Sequence, residues 1–352
     1  MKFEFSGKRI AGVLSVLPKN EYRFEDETAN PDDNKARRLK SIIGYGTRRR
    51  VKGTTTLSDM LVFGIKHLLE KQLIRKEDIG AVIVSTLSQD YVIPTISSII
   101  HGELSLSTDV LCIDTPQACA GFVMGAVEAF MLLDHMKDKK VLLCTGEIFN
   151  RRSRDDEPKT TEPSFGGDIA NITVFENDKT AGSVHTRVYN DGTGRECLQI
   201  HYGGFKNPMT EDMLKSQTSN LPCSGVDMDG SAVFNFMQQV VPEELNKLCD
   251  EAGVTLDDID WFIFHQPNKF MLKKLSERLG VPYEKVPMDI TERLGNSDSG
   301  TIPAVMTECI ADSLLKNDHK VCFCGFGAGL TCASMIMDMR ALDFCTSIVS
   351  EY

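Results

Sequence analysis

The features that usually mark a metal, nucleic-acid or membrane protein are scarce in this chain of 352 residues. There is no Cys-x-x-Cys, and the seven histidines are dispersed. That excludes the common zinc spacings, so no metal is expected. The 11 cysteines are an odd number and sit in apolar runs, as Cys112, Cys144, Cys322 and Cys324 do. They read as small core residues, not as a disulfide framework. Basic charge is in deficit: the net charge is −11. An overall nucleic-acid footprint is therefore absent, although a local basic patch could still meet an acidic partner. No apolar run reaches the ~18 residues of a membrane span. Met1-Lys2-Phe3-Glu4-Phe5-Ser6-Gly7 lacks the apolar core of a secretory signal. The expectation is a cytoplasmic protein that does not enter a membrane. Low-complexity tracts and Pro-rich linkers are missing too.

What the chain does contain is a long-range echo. Leu57, Met60, Leu61, Ile65, Leu68 and Leu69 recur at helical spacing and are followed by the apolar strand pattern Asp78–Val84. Phe234, Met237, Val241, Leu245 and Leu248 repeat the helix, and Asp258–Phe264 repeats the strand. Lys140–Cys144 and Lys320–Cys324 form a second pair at the same separation, 140 to 320 as against 78 to 258. Two matches at one offset predict two copies of one α/β unit. Their continuous apolar strands suit sheets covered by helices on both faces. The join is expected in the turn-rich stretch 175–195, giving an N-terminal half 1–182 and a C-terminal half 183–352.

The first candidate for chemistry is Cys119. Val110–Asp114 reads as a strand and Thr115-Pro116-Gln117 as a turn. The uncharged run Ala118–Val127 reads as a buried helix with Cys119 in its first turn. A helix start carries partial positive charge, which is expected to stabilise a thiolate, the reactive form. Ala118, Ala120 and Gly121 leave room for a thioester. A buried structural cysteine is the competing reading at this point.

Three segments of the second half supply partners. His265 closes an apolar strand ahead of a helix, in His265-Gln266-Pro267-Asn268. Asn296 lies in the polar loop Leu294–Pro303. Gly325-Phe326-Gly327-Ala328-Gly329-Leu330-Thr331 is a turn that lets backbone N–H groups approach a ligand. Its third glycine is misplaced for a dinucleotide fingerprint. Together with Ala118-Cys119-Ala120-Gly121-Phe122, these segments resemble the ketoacyl-acyl-carrier-protein synthase III family of thiolase-fold condensing enzymes, from about Gly46 to Ala333.

The resemblance implies a thiolase-like fold, two duplicated α/β halves in a five-layered αβαβα arrangement. It implies a homodimer with the loop at Ile93-Pro94 near the partner's site. Cys119 would carry the acyl group, and His265 and Asn296 would stabilise the enolate formed as a malonyl thioester loses carbon dioxide. The backbone N–H groups of Cys119 and Ala328 would form the oxyanion hole. Arg48 and Asn268 would meet the phosphates of phosphopantetheine or CoA. Lys269 or Lys273 would dock acyl carrier protein, because Phe270 stands where the family has an Arg. No permanently bound cofactor is implied; acyl-CoA or acyl-carrier protein would be the substrate.

The chain departs from the family in three places. A Trp expected near Lys40 is missing, the one Trp being Trp261, so the acyl donor can equally be a carrier protein. Phe165-Gly166-Gly167-Asp168 replaces Phe-Gly-Asp-Gly, and the stretch 17–44 is long and acidic. A specialised member is expected. Decarboxylative condensation to a 3-oxoacyl product is the leading reading. The alternatives are acyl transfer from Cys119 to an amine, hydroxyl or other carbon nucleophile, and a non-catalytic partner subunit.

Overall fold

The computed structural model describes residues 1–28, 30–149, 166–208, 210 and 226–352. Its strands are β1 (Lys2–Ser6), β2 (Lys8–Leu17), β3 (Asn20–Arg23), β4 (Thr47–Arg50), β5 (Ile79–Ser85), β6 (Leu111–Thr115), β7 (Lys140–Glu147) and β8 (Ile169–Asn177). There follow β9 (Ser183–Asn190), β10 (Leu198–Ile200), β11 (Val226–Met228), β12 (Trp261–Phe264), β13 (His319–Gly327), β14 (Thr331–Met339) and β15 (Phe344–Val349). The helices are α1 (Phe24–Glu27), α2 (Asn34–Ile43), α3 (Leu57–Glu70), α4 (Ile96–Glu103) and α5 (Gly121–Leu133). The second half adds α6 (Gly230–Ala252), α7 (Lys269–Leu279), α8 (Ile290–Arg293), α9 (Thr301–Cys309) and α10 (Ala311–Lys316).

Local chemistry sets the helix ends. Thr56 and Asp59 form a capping box at the start of α3. Asp229 accepts the Ser231 and Ala232 N–H groups ahead of α6. Both α6 and α7 stop at glycines in the left-handed region, Gly253 and Gly280.

Two sheets hold the molecule together. One has the order β15-β2-β8-β7-β5-β6, the other β1-β9-β14-β13-β12. The echo in the sequence is preserved to the residue. Val82 faces Leu142 in the parallel pair β5/β7, and Phe262 faces Cys322 in the parallel pair β12/β13. The halves do not separate at one cut, however. β1 is an edge strand of the second sheet and β15 pairs with β2 in the first. Each terminus is therefore stapled into the half that it does not begin or end.

α5 and α9 fill the space between the sheets; α3 and α4 cover the outer face of the first sheet, and α6 and α7 that of the second. The result is five layers. Because α5 is sandwiched, it is apolar all round: Phe122, Val123, Ala126, Ala129 and Phe130 are fully buried. Burying each Phe contributes ~3 kcal/mol at most. The ten described cysteines are free thiols. No helix among the described residues is long and apolar enough to cross a membrane.

The acidic stretch forms a small added unit. The β3/β4 hairpin with α1 and α2 has its own core of Phe24, Ala36, Ile43 and Tyr45 and leans on α7. Its carboxylates are spent internally, Glu25 on Lys40 and Asp32 on Arg37.

Candidate active site

Chain direction brings the nucleophile candidate to the middle of the molecule. After β6 the chain turns through Ala118, whose φ of 44° lies in the left-handed region, into a short 3₁₀ turn Ala118–Ala120 and then α5. Cys119 sits in that turn and is 7% exposed. β13 passes directly against it. A Cβ on Gly325 would stand 2.5 Å from the Cys119 carbonyl oxygen, and one on Gly327 would stand 2.8 Å from Sγ. The glycines of that strand are thus required by close approach, beyond any freedom of the turn. Gly121 is pinned similarly, 2.1 Å from Ser85 Oγ if it carried a Cβ.

The second half delivers its residues to the same place. β12 runs parallel to β13 and is followed by His265, whose backbone N–H donates to the Cys324 carbonyl at 2.8 Å. His265 is 2% exposed. Its Nδ1 lies 2.9 Å from Thr301 Oγ1 and 3.2 Å from the Asp298 carbonyl oxygen. Burial lowers its pKa to about 4, so the ring is neutral at pH 7. Asn296 is held in the loop before α9. Its side-chain oxygen accepts the Asp298 N–H at 2.9 Å, and its carbonyl accepts the Gly167 N–H at 3.0 Å. The loop is tied to the first half by Ser299, which donates to the Ser85 carbonyl, and by Asn171, which donates to the Gly300 carbonyl.

This explains the unusual pair Gly166-Gly167. Gly166 bridges to Asn296, and a Cβ on Gly167 would fall 1.7 Å from the Leu294 carbonyl oxygen. Two small residues allow the Asn296 loop to lie against the segment that leads into β8. Phe165 lies outside the described residues.

One residue at the centre carried no motif signal. Asp298 Oδ1 accepts from the Cys119 thiol at 3.3 Å. The thiol is pushed well above its ordinary range, first by burial and then by the charge and hydrogen bond of Asp298. The N–H groups of Cys119 and Ala328 pull the other way. The expectation of a thiolate favoured by the helix start is therefore corrected: burial and Asp298 outweigh the partial charge there. Cys119, His265 and Asp298 each have a ligand atom within 4.8 Å of the others, the one such metal-capable set among the described residues.

The remaining expected site residues lie apart. Arg48 is 1% exposed. Its guanidinium holds both Glu27 oxygens at 2.5 and 2.6 Å and the Gly166 carbonyl at 2.9 Å. Arg50 and Tyr45 also contact Glu27. Arg48 thus buttresses the segment beside the Asn296 loop, which corrects its expected place at a CoA phosphate. Asn268 caps α7, its oxygen accepting the Met271 N–H at 2.8 Å. Lys269 is paired with Asp289 and Glu292, both at 2.9 Å, whereas Lys273 faces solvent. Tyr91, Val92 and Ile93 form an exposed apolar tip.

The chain is similar to known proteins along most of its length. Residues 249–339 match the 3-oxoacyl-(acyl-carrier-protein) synthase III C-terminal model. A beta-ketoacyl-(acyl-carrier-protein) synthase III of Synechocystis is 30% identical over 332 residues, 94% of this chain and 98% of the relative. The chain belongs to the beta-ketoacyl-(acyl-carrier-protein) synthase III family. A putative 3-oxoacyl-(acyl-carrier-protein) synthase 3 of Campylobacter jejuni is 26% identical, with 97% of each chain covered. Among solved structures, a 3-oxoacyl-(acyl-carrier protein) synthase of Burkholderia xenovorans superposes with a TM-score of 0.89 at 27% identity, covering 99% of each chain. The priming beta-ketosynthase of the R1128 polyketide pathway gives 0.75 at 25% identity, covering 96% of this chain and 98% of that one.

Proposed function

We propose that this synthase III family member loads an acyl group on Cys119 and condenses it with a malonyl thioester, releasing carbon dioxide and a 3-oxoacyl product. The observation that carries this reading is the meeting of the Cys119 turn with His265 and the Asn296 loop across the two halves. The Cys119 and Ala328 N–H groups act on one sulfur, where an acyl carbonyl would sit. Such aimed donors stabilise a developing oxyanion, each typically by ~3 kcal/mol.

The acyl donor is acyl-CoA or acyl-carrier protein. With Arg48 enclosed by Glu27, we favour the carrier protein, approaching the solvent-facing Lys273 on α7. The exposed tip at Ile93 suits contact with a second copy of the chain. One observation favours acyl transfer to a hydroxyl or amine instead: a carboxylate beside Cys119 is the base such a nucleophile requires. Carbon dioxide release from malonyl-carrier protein separates the two. Condensation predicts release that falls about 10²-fold or more in Asn296→Ala while acylation of Cys119 persists. Acyl transfer without condensation predicts no release above background.

A further inference from the structure

We propose that Asp298 is the proton acceptor that activates the Cys119 thiol, a role no motif in the chain assigns. The proposal rests on the reading of Cys119 as the acyl carrier. Oδ1 stands 3.3 Å from Sγ and is the side-chain acceptor that the thiol faces.

The carboxylate is aimed by its backbone. Asp298 has a φ of 45°, in a region that Asp and Asn tolerate better than most residues. Its N–H is taken by Asn296 Oδ1 and its carbonyl by the Thr301 hydroxyl at 2.8 Å. The next residue, Ser299, is fastened to the end of β5. These ties fix the side chain's origin on both sides.

The other titratable group close to both is His265. His265 turns Nδ1 away, to Thr301 and the Asp298 carbonyl. The two groups then divide the work. Asp298 handles the thiol proton, and His265 stays neutral with its Nδ1 held on Thr301 and the Asp298 carbonyl. The titratable groups facing Asp298 are Cys119 from the turn before α5, His265 from the end of β12 and Glu147 from β7. Glu147 is fully buried and accepts from Thr86, Leu87 and Ser88. Burial, and then the Asp298 charge, push its carboxyl upward.

The step balances without a redox partner. As Sγ bonds to the donor's carbonyl carbon, the S–H bond breaks and its proton passes to Asp298. The oxyanion rests on the Cys119 and Ala328 N–H groups. When it collapses, the bond to the donor sulfur breaks and Asp298 returns the proton to that sulfur. The products are acyl-Cys119 and a free donor thiol.

Single-turnover acylation of the full chain by acetyl-CoA and by acetyl-carrier protein, read by intact mass from roughly pH 6 to 9, tests this. Asp298→Asn is expected to slow acylation about 100-fold, and its rate should climb about tenfold per pH unit as free thiolate takes over. Asp298→Glu should recover part of the loss, and Gly102→Ala, with nothing within 4 Å of its added carbon, should acylate at the wild-type rate. Acylation of Asp298→Asn at the wild-type rate with the wild-type profile overturns the proposal. If that variant melts early, the wild-type profile decides, since a tenfold climb per pH unit there also overturns it. A wild-type protein that takes no acyl group from either donor sinks the reading of Cys119, and this proposal with it.

Discussion

Replacing Gly327 with Ala should disable acylation while leaving the fold standing. The new methyl carbon would lie 2.8 Å from Cys119 Sγ and 3.0 Å from its Cβ. Ordinary non-bonded carbon contacts are ~3.5–4.0 Å, so the nucleophile must retreat by about 1 Å. A displacement of that size at reacting atoms costs about 10²-fold in rate. Gly327 is not among the residues of positive φ, so Ala adds crowding without backbone strain. Overpacking of this kind costs about 1–3 kcal/mol of stability, which a chain of this size tolerates. Two neighbours calibrate the result. Gly325→Ala drives its methyl into backbone, 2.5 Å from the Cys119 carbonyl oxygen and 2.8 Å from Ala120 Cα, and should reduce folded yield. Gly102→Ala, in α4 with nothing within 4 Å of its added carbon, should keep full activity and gain about 0.5–1 kcal/mol. The assay is the rate of acyl-adduct formation beside a thermal melt. Wild-type acylation by a folded Gly327→Ala variant would refute the placement of the reacting sulfur against β13.

Three further outcomes follow from particular contacts. Gly167→Ala must push away the Leu294 carbonyl, displacing Asn296, so carbon dioxide release should fall about 10²-fold while acylation of Cys119 falls less; equal losses in both assays would contradict this. Arg48→Met removes one of the partners of the Glu27 side chain, only 7% exposed, and should cost ~3 kcal/mol in denaturant unfolding with acylation of Cys119 by a CoA donor kept per folded molecule. His265 has a depressed pKa, so the unfolded state binds the extra proton between about pH 6.5 and 4. Its contribution is intact above the unfolded pKa and is lost as pH falls through that window, by about 3 kcal/mol in total. His265→Gln should remove that slope from the pH dependence of unfolding, and an unchanged slope would show that the ring titrates normally.

Much of the architecture was legible because duplication leaves a period in the chain. The offset linking Val82 and Leu142 to Phe262 and Cys322 survives as sheet register. The crossing of β1 and β15 into opposite sheets was not legible, since an edge strand looks the same whichever sheet it joins. At the site, Cys119, His265 and Asn296 announced themselves by their local segments. Asp298 did not: its contact with Cys119 spans 179 residues, and Asp in a polar loop has an ordinary reading as a turn former. The direction of the thiol's pKa went astray for the same reason. A helix start is visible in sequence, whereas burial and a distant carboxylate are not. Arg48 misled because its place at a phosphate came from the resemblance alone, which does not show the carboxylate it meets. The carboxylate that Arg48 and Arg50 share, Glu27, lies in the acidic stretch 17–44 that folds back over them.

The central claim is that Cys119 carries the acyl group. Its most direct test is peptide mass analysis after incubation with acyl-CoA and with acyl-carrier protein. The account predicts one acyl group on the peptide containing Cys119, released by neutral hydroxylamine, which cleaves thioesters and spares oxygen esters, and no such hydroxylamine-labile adduct on Cys119→Ser. An adduct confined to another cysteine, or none from either donor, would contradict it.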